Sequence, residues 1–600
     1  MSASDKKRQR KANAVEMTPR QKEAAKEARS LKMYTWSFWV IIILCASIVA
    51  GMLLWNPVDG IVRNMTNAVQ VGDQTLTAVE LNYFYIDEIN TYAQNYSSYL
   101  SYILDTSKSI GDQYYDEANK VTWADNFLDM TITSIKDTYA LYNAAKAANF
   151  QLPEKDKTEL NTLKDNLKTY ANYYGYSNTN EYLVSIYGNG ANEKSYLAYY
   201  EVVKTANSYY NTYAEELKDS YTIAQLREFE KGEAYKYNSY SYVSFLLSLD
   251  KFKVGGVKGE DGNITYTDEQ MTQFRENLKK AAEKLSAAEN NTLEKLNEAI
   301  KELEISLKPE GNKDNTSSTT PTTTPTTAPT TAPTTAPSGD ATTAPTTGPS
   351  GSTTAPTTKP GSDNKEPTYS TATEKKDELY TKITATIQEW LRDETRKDGD
   401  ITMIASTAKE IKDGKEIETV NGYYIVIFNG VNKNEFGLAN VRHLLVSFKS
   451  ATNSTTYTDA EKKTAKEKAE KLYEDWKKAG NLTEDSFAEL VKKNSDDNAD
   501  QGGLYEDVYP GQMVEAFNDW CFDKDRKPGD TGIVETNYGY HIMFYVGASE
   551  TIYRDYLVRE AKQTEEVTAW KAGLIEKTVV TVTNSNFIAR DMKLQAQNSY

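Results

Sequence analysis

Two histidines serve a chain of 600 residues, His443 in "VRHLLVSF" and His541 in "NYGYHIMFYV". Each stands in a short apolar, β-branched stretch that reads as a strand. An imidazole there can move a proton near neutral pH, bind a metal, or satisfy a buried partner in the core. Zinc would need further ligands. The only cysteines are Cys45, inside an apolar run, and Cys521, in "AFNDWCF", and no ligand motif surrounds either. No metal, no other cofactor and no intrachain disulfide are expected.

The punctuation between the histidines predicts how they meet. After "VRHLLVS", Ala465, Ala469, Leu472 and Trp476 recur at helical spacing, and Gly480 supplies a stop. Thr483 caps a second helix that buries Phe487, Leu490 and Val491. A glycine turn follows in "DQGGLYEDV", then a short helix in "MVEAFNDWCF", a Pro-Gly turn at 528–529, and the strands "TGIVET" and "GYHIMFYV". This order, βαα then αββ, closes a small α/β domain whose first and last strands are adjacent. His443 and His541 then meet at the centre of one sheet.

A repeat lies upstream. "VSFLLSL" (243–249) parallels "VRHLLVS" (441–447), "TYTDE" parallels "TYTDA", and "NGYYIVIFNGV" (421–431) parallels "YGYHIMFYVGA" (538–548), all in the same order. The first copy is the longer because it contains the Thr/Pro/Ala tract 309–368, which lacks the large apolar groups needed to offset chain entropy. The alignment replaces both histidines there, by Phe245 and Tyr424.

The pieces "VRHLLVS", "FAELVKKNSDD", "QGGLYEDVYPGQMVEAF" and "PGDTGIVETNYGYHIM" resemble the parvulin family of peptidylprolyl isomerases in order and spacing. The resemblance implies that His443 and His541 are the paired core histidines, with Asp497 and Thr536 in the same hydrogen-bond network. It also implies a proline pocket of Leu504, Met513 and Phe517, with Gln512 and Tyr540 beside it. Tyr505 stands where the family commonly has glycine. The loop 447–458 lacks the arginine cluster of phosphate-requiring parvulins, so no need for phosphorylated substrates is expected.

Such chemistry needs no nucleophile. Amide resonance sets a rotation barrier of about 18–20 kcal/mol, and X-Pro bonds populate both isomers but exchange slowly. A catalyst has to seat the ring in an apolar hollow, keep water from the carbonyl, and favour the twisted state. The alternative for the histidines is that they only satisfy each other in the core.

At the other end of the chain, Trp36 to Trp55 is twenty residues without a charge, long enough to cross a bilayer. Lys6, Lys7, Arg8, Arg10 and Lys11 precede it, so the N-terminus is expected in the cytoplasm and the bulk of the chain outside. A cleaved signal peptide is the competing reading. The net charge of −17 argues against nucleic acid as partner.

The expected architecture is α+β and multidomain. It comprises a basic tail (1–33), a transmembrane helix (34–56), a tyrosine-rich helical domain (57–235), a degenerate parvulin-like domain (236–435) interrupted by the tract, a parvulin domain (436–549), and a C-terminal segment (550–600). "KTVVTVT" (577–583) is expected to pair back onto "AVQVGDQTL" (68–76). This organisation is similar to membrane-anchored extracytoplasmic foldases of the PrsA and SurA type. It implies unfolded or nascent secreted polypeptides with X-Pro bonds as partners, near the secretion channel. Two other classes stay open: a non-catalytic holdase whose parvulin modules are scaffolds, and a surface adhesin with a glycosylated stalk.

Overall fold

The computed structural model describes residues 58–259, 262–307, 368–412, 415–450 and 456–594. The expected basic tail, the apolar run and the Thr/Pro tract up to residue 367 lie outside the described residues. No helix among the described residues is long and apolar enough to cross a membrane. The chain is a mixed helix-and-sheet, multidomain protein. Its described residues fall into two compact units, one running to Glu216 and resuming at Glu566, the other lying between Leu217 and Glu565.

The first unit opens with a hairpin, Asn67–Val71 and Gln74–Thr77, turned at Gly72 in the left-handed region (φ 55°). Thr77 then starts the helix Ala78–Asn95 through a reciprocal cap: its hydroxyl accepts from Glu80 N at 3.2 Å while Glu80 Oε2 accepts from Thr77 N at 2.7 Å. Val580–Val582 adds to the same sheet, antiparallel to Asn67–Val71 with Val69 opposite Val582.

Tyrosine does two jobs in the helices of this unit. Tyr83 is fully buried and meets Tyr187 and Tyr196 edge-on, at 5.0 and 5.3 Å. The hydroxyls of Tyr187 and Tyr199 donate to Asp87 at 2.9 and 2.8 Å, and burial holds that carboxyl above its usual range. Tyr99, Tyr102, Tyr173 and Tyr174 remain exposed.

The second unit holds both copies of the repeat as four-stranded antiparallel sheets with the same strand order. The first runs Thr373–Leu379, Ser239–Ser248, Lys415–Asn432, Ile401–Lys412 across the sheet. The second is built from β1 (Gly437–Ser447), α1 (Asp459–Lys478), α2 (Glu484–Asn494), β2 (Leu504–Val508), α3 (Glu515–Cys521), β3 (Thr531–Glu535) and β4 (Gly539–Ile552), with β1 and β4 central between β2 and β3. Thr267 and Thr458 cap the equivalent first helices, each accepting from the residue three positions on, at 3.2 and 3.3 Å.

A further repeat signature spans the turn after the third helix. Arg396 lies over Trp390 and Arg526 over Trp520, each at 4.0 Å from the ring. Their Nε atoms donate to Trp390 O at 2.9 Å and Trp520 O at 3.0 Å. Sequence reasoning passed over this pair, although "WLRDETRKDGD" and "WCFDKDRKPGD" carry it.

The register corrects one expected equivalence. His541 stands opposite Leu445 and Tyr424 opposite Leu246, so Tyr424 does occupy the place of His541. His443, however, stands opposite Met543, and its counterpart opposite Val426 is Ser244, not Phe245. Phe245 points to the other face and packs with Leu278, Ala282 and Ile425. Successive strand residues face opposite ways, so a one-residue slip exchanges the faces.

Residues 217–235, expected with the helical domain, lie in this second unit. Leu226 is buried with Tyr221 and Val558. The buried Arg554 guanidinium donates to Glu230 Oε2 at 2.8 Å, Asn238 Oδ1 at 2.9 Å, Ala234 O at 2.9 Å and Lys433 O at 3.1 Å.

Candidate active site

Two central strands bring the histidines together. Antiparallel pairing sets His443 of β1 opposite Met543 and His541 of β4 opposite Leu445, so the rings are diagonal neighbours on one face. The other face carries Leu444, Val446, Ile542 and Phe544 and is covered by Ala465, Ala469 and Trp476 of α1 and Phe487 and Val491 of α2. The spacing of those apolar residues therefore packs the sheet from behind and leaves the histidine face for the second half of the domain.

The glycine turn holds His443 from the side. Gly503 O accepts from His443 N at 3.0 Å. At φ 68° Gly503 has no room for a side chain, since a Cβ would lie 2.1 Å from His443 O.

Both rings are buried, with Nδ1 of His443 3.1 Å from Nδ1 of His541. Thr536 Oγ1 lies 2.9 Å from His541 Nε2 and accepts from Tyr538 N at 3.1 Å. At the other end His443 Nε2 is 3.4 Å from Asp497 Oδ2, the oxygen that also accepts from the Tyr505 hydroxyl at 3.3 Å. The contact with His443 holds the Asp497 carboxyl below its usual range against the opposing effect of burial. Burial pushes the Tyr505 phenol up to about 12, and the Asp497 charge adds to that.

These groups fix the proton order by elimination. An ionised carboxylate only accepts, so His443 Nε2 carries a hydrogen, and a singly protonated His443 then leaves its Nδ1 bare. His541 Nδ1 must then donate to His443, leaving His541 Nε2 to accept from Thr536. Burial, reinforced by His443 and opposed by Asp497, pushes His541 down to about 3, which matches a neutral ring with one donor and one acceptor.

Phe517 of α3 stands perpendicular to both rings, 5.3 Å from His443 and 5.5 Å from His541. Met513 and Tyr505 pack in the same apolar cluster, with Val441 and Met543. The result is a greasy surface over a continuous run of polar contacts from Asp497 through His443 and His541 to Thr536.

Residues 423–546 match the PPIC-type PPIASE domain family. The histidine-bearing domain is a parvulin-type peptidylprolyl isomerase domain. Foldase protein PrsA 1 of Listeria monocytogenes (serotype 4b, strain F2365) is 28% identical over 111 residues, covering 18% of this chain and 35% of its own length. Its counterpart in Listeria innocua is 37% identical over 68 residues, 11% of this chain and 23% of its own. The chain thus spans about a third or less of the length of these curated relatives. The crystal structure of PrsA from Bacillus subtilis matches 26% of this chain and 55% of that one at 26% identity, with a TM-score of 0.15.

Within the parvulin domain, His443, His541, Asp497, Thr536, Met513 and Phe517 lie together. Two residues expected with them, Leu504 and Tyr540, do not. Leu504 pairs with Arg442 while Tyr505 pairs with Val441, so alternation sends Leu504 to the opposite face and turns Tyr505 toward His443. Tyr540 likewise packs on the helix side, edge-on to Phe448 at 5.7 Å, with its hydroxyl on Glu535 Oε2 at 2.8 Å. Gln512 folds back within its loop, its Oε1 accepting from Tyr509 N at 3.1 Å. Asp496 is kept apart from Asp497 because it braces the end of β1, accepting from Ser447 N at 3.0 Å and Oγ at 2.8 Å. Cys521 is buried in the cluster beneath Phe517, and burial pushes its thiol up to about 12.

Proposed function

We propose that this protein is a membrane-tethered, extracytoplasmic peptidylprolyl cis–trans isomerase and chaperone that receives unfolded or nascent secreted polypeptides, near the secretion channel. The observation that carries the reading is the His443–His541 pair, locked between Asp497 and Thr536 beneath Phe517 and Met513. An X-Pro ring resting on Phe517 and Met513 loses water around its amide, and resonance then resists rotation less strongly. The hydrogen-bonded floor keeps the surface beneath the twisting bond rigid. No covalent step is needed.

The first copy serves as a degenerate parvulin-like module for binding or spacing, since Ser244 and Tyr424 replace the histidine pair. The uncharged run 36–55 supplies the anchor. The exposed tyrosines Tyr99, Tyr102, Tyr173 and Tyr174 favour a client-holding role for the helical domain as well.

The test is a proline-peptide isomerisation assay on the full chain and on Met513→Ala. Acceleration by the full chain that falls at least tenfold in the variant, with unchanged circular dichroism, supports the enzyme. Undiminished suppression of client aggregation by a chain with no isomerase activity would leave the holdase as the better reading.

A further inference from the structure

Among the described residues, Tyr505 is the aromatic residue of the histidine face that also makes a polar contact to the run Asp497–His443–His541–Thr536. Its ring centroid lies 5.1 Å from that of His443, inclined at 49°. Its hydroxyl reaches Asp497 Oδ2 at 3.3 Å, and that same oxygen faces His443 Nε2 at 3.4 Å. The Asp497 side chain is 45% exposed, so water competes for it on its open side. Ser495 fixes only the backbone there, its Oγ accepting from Asp497 N at 3.1 Å and donating to Asp497 O at 2.6 Å. Of the hydrogen bonds to the Asp497 carboxylate, the one from outside the histidine chain comes from Tyr505.

We propose that Tyr505 is a positioning residue of the isomerase site, whose hydroxyl holds Asp497 in place to fix the His443 tautomer and whose ring forms a wall of the proline seat facing Phe517. This rests on the isomerase reading of the same site. Two separable consequences follow from one side chain. Loss of the hydroxyl loosens Asp497 and lets the proton on His443 move between Nε2 and Nδ1, which disorders the floor without emptying the seat. Loss of the ring removes apolar contact with the substrate.

Tyr505→Phe and Tyr505→Leu separate the two. With Tyr505→Phe, kcat is expected to fall roughly three- to tenfold with KM nearly unchanged, the effect of about one hydrogen bond. The acid limb of the kcat/KM profile should also move to higher pH, because the Tyr505 hydroxyl is one of the groups that lower Asp497. With Tyr505→Leu, KM should rise in addition. The chain carries no histidine besides these two, so 15N-histidine labelling reads the tautomers directly. The intact protein should show His443 protonated at Nε2 and His541 at Nδ1, and Tyr505→Phe should show His443 as a mixture.

Unchanged tautomers and an unchanged acid limb in Tyr505→Phe would overturn the proposal. An intact chain with no isomerase activity but with the tautomer change in Tyr505→Phe would overturn the functional reading and sustain the positioning role.

Discussion

Nδ1 of His443 faces Nδ1 of His541 at 3.1 Å, so one of these identical atoms must donate and the other accept. Two doubly protonated rings cannot share that contact. At least one ring must therefore be neutral, burial favours the neutral form of His541, and the pH dependence of folding should report it.

The unfolded chain binds a proton at His541 below its ordinary value of 6.5, whereas the folded chain does so only near 3. Between those limits the unfolded state holds more protons, so stability falls as pH falls, and above that window the residue exerts no pH effect. The full loss is on the order of a few kcal/mol. Asp497, also lowered, adds a loss at the acid end. Thermal midpoints of the parvulin transition should decline from pH 6.5 towards 4, and His541→Asn should flatten the curve. An equally steep decline in the variant would refute this account.

Thr536→Val tests the other end of the chain. It keeps the shape but removes the donor to His541 Nε2, which then sits buried with no partner. The expected destabilisation is about 1–3 kcal/mol by denaturant titration. His541 should also become a tautomer mixture in 15N spectra, while Thr536→Ser should restore one form.

Two glycines with similar backbones should respond differently to alanine. Gly480 (φ 75°) has nothing within 4 Å of the point where a Cβ would stand, so Gly480→Ala meets only backbone strain, about 1 kcal/mol. Gly503 (φ 68°) would bring its Cβ to 2.1 Å from His443 O and 3.0 Å from Val491 Cγ1. Gly503→Ala should cost well over about 2 kcal/mol and abolish isomerase activity. Equal melting points for the two variants would disprove the close approach at His443.

Local signals were legible and register was not. "TYTDA" gives the cap at Thr458, Ala465, Ala469 and Trp476 mark the face of α1, and the strand order alone brings His443 beside His541. Ser244 and Phe245 could not be told apart because "VSFLL" has large apolar residues on both faces, and only cross-strand partners decide which side is which. Leu504 and Tyr505 pose the same problem, sharpened by a bulge in the β1–β2 pairing between Ala439 and Val441. The proton order needed distances, since no sequence pattern orders four hydrogen bonds end to end.

Arg554 offers a stability test remote from the histidines. Its guanidinium meets Glu230, Asn238, Ala234 O and Lys433 O, and both it and Glu230 are less than 10% exposed at their side chains. Removing one partner of such a buried pair leaves an uncompensated charge, which costs about 3–5 kcal/mol. Arg227, with Nη1 2.9 Å from Glu230 Oε1, offsets part of that charge and should keep the loss at the lower end. Arg554→Met should therefore lower the unfolding midpoint of the second unit sharply. Adding Glu230→Gln to it should recover part of the loss, because the orphaned charge goes with it. Simple addition of the two single losses would show that the guanidinium and the carboxylate act independently.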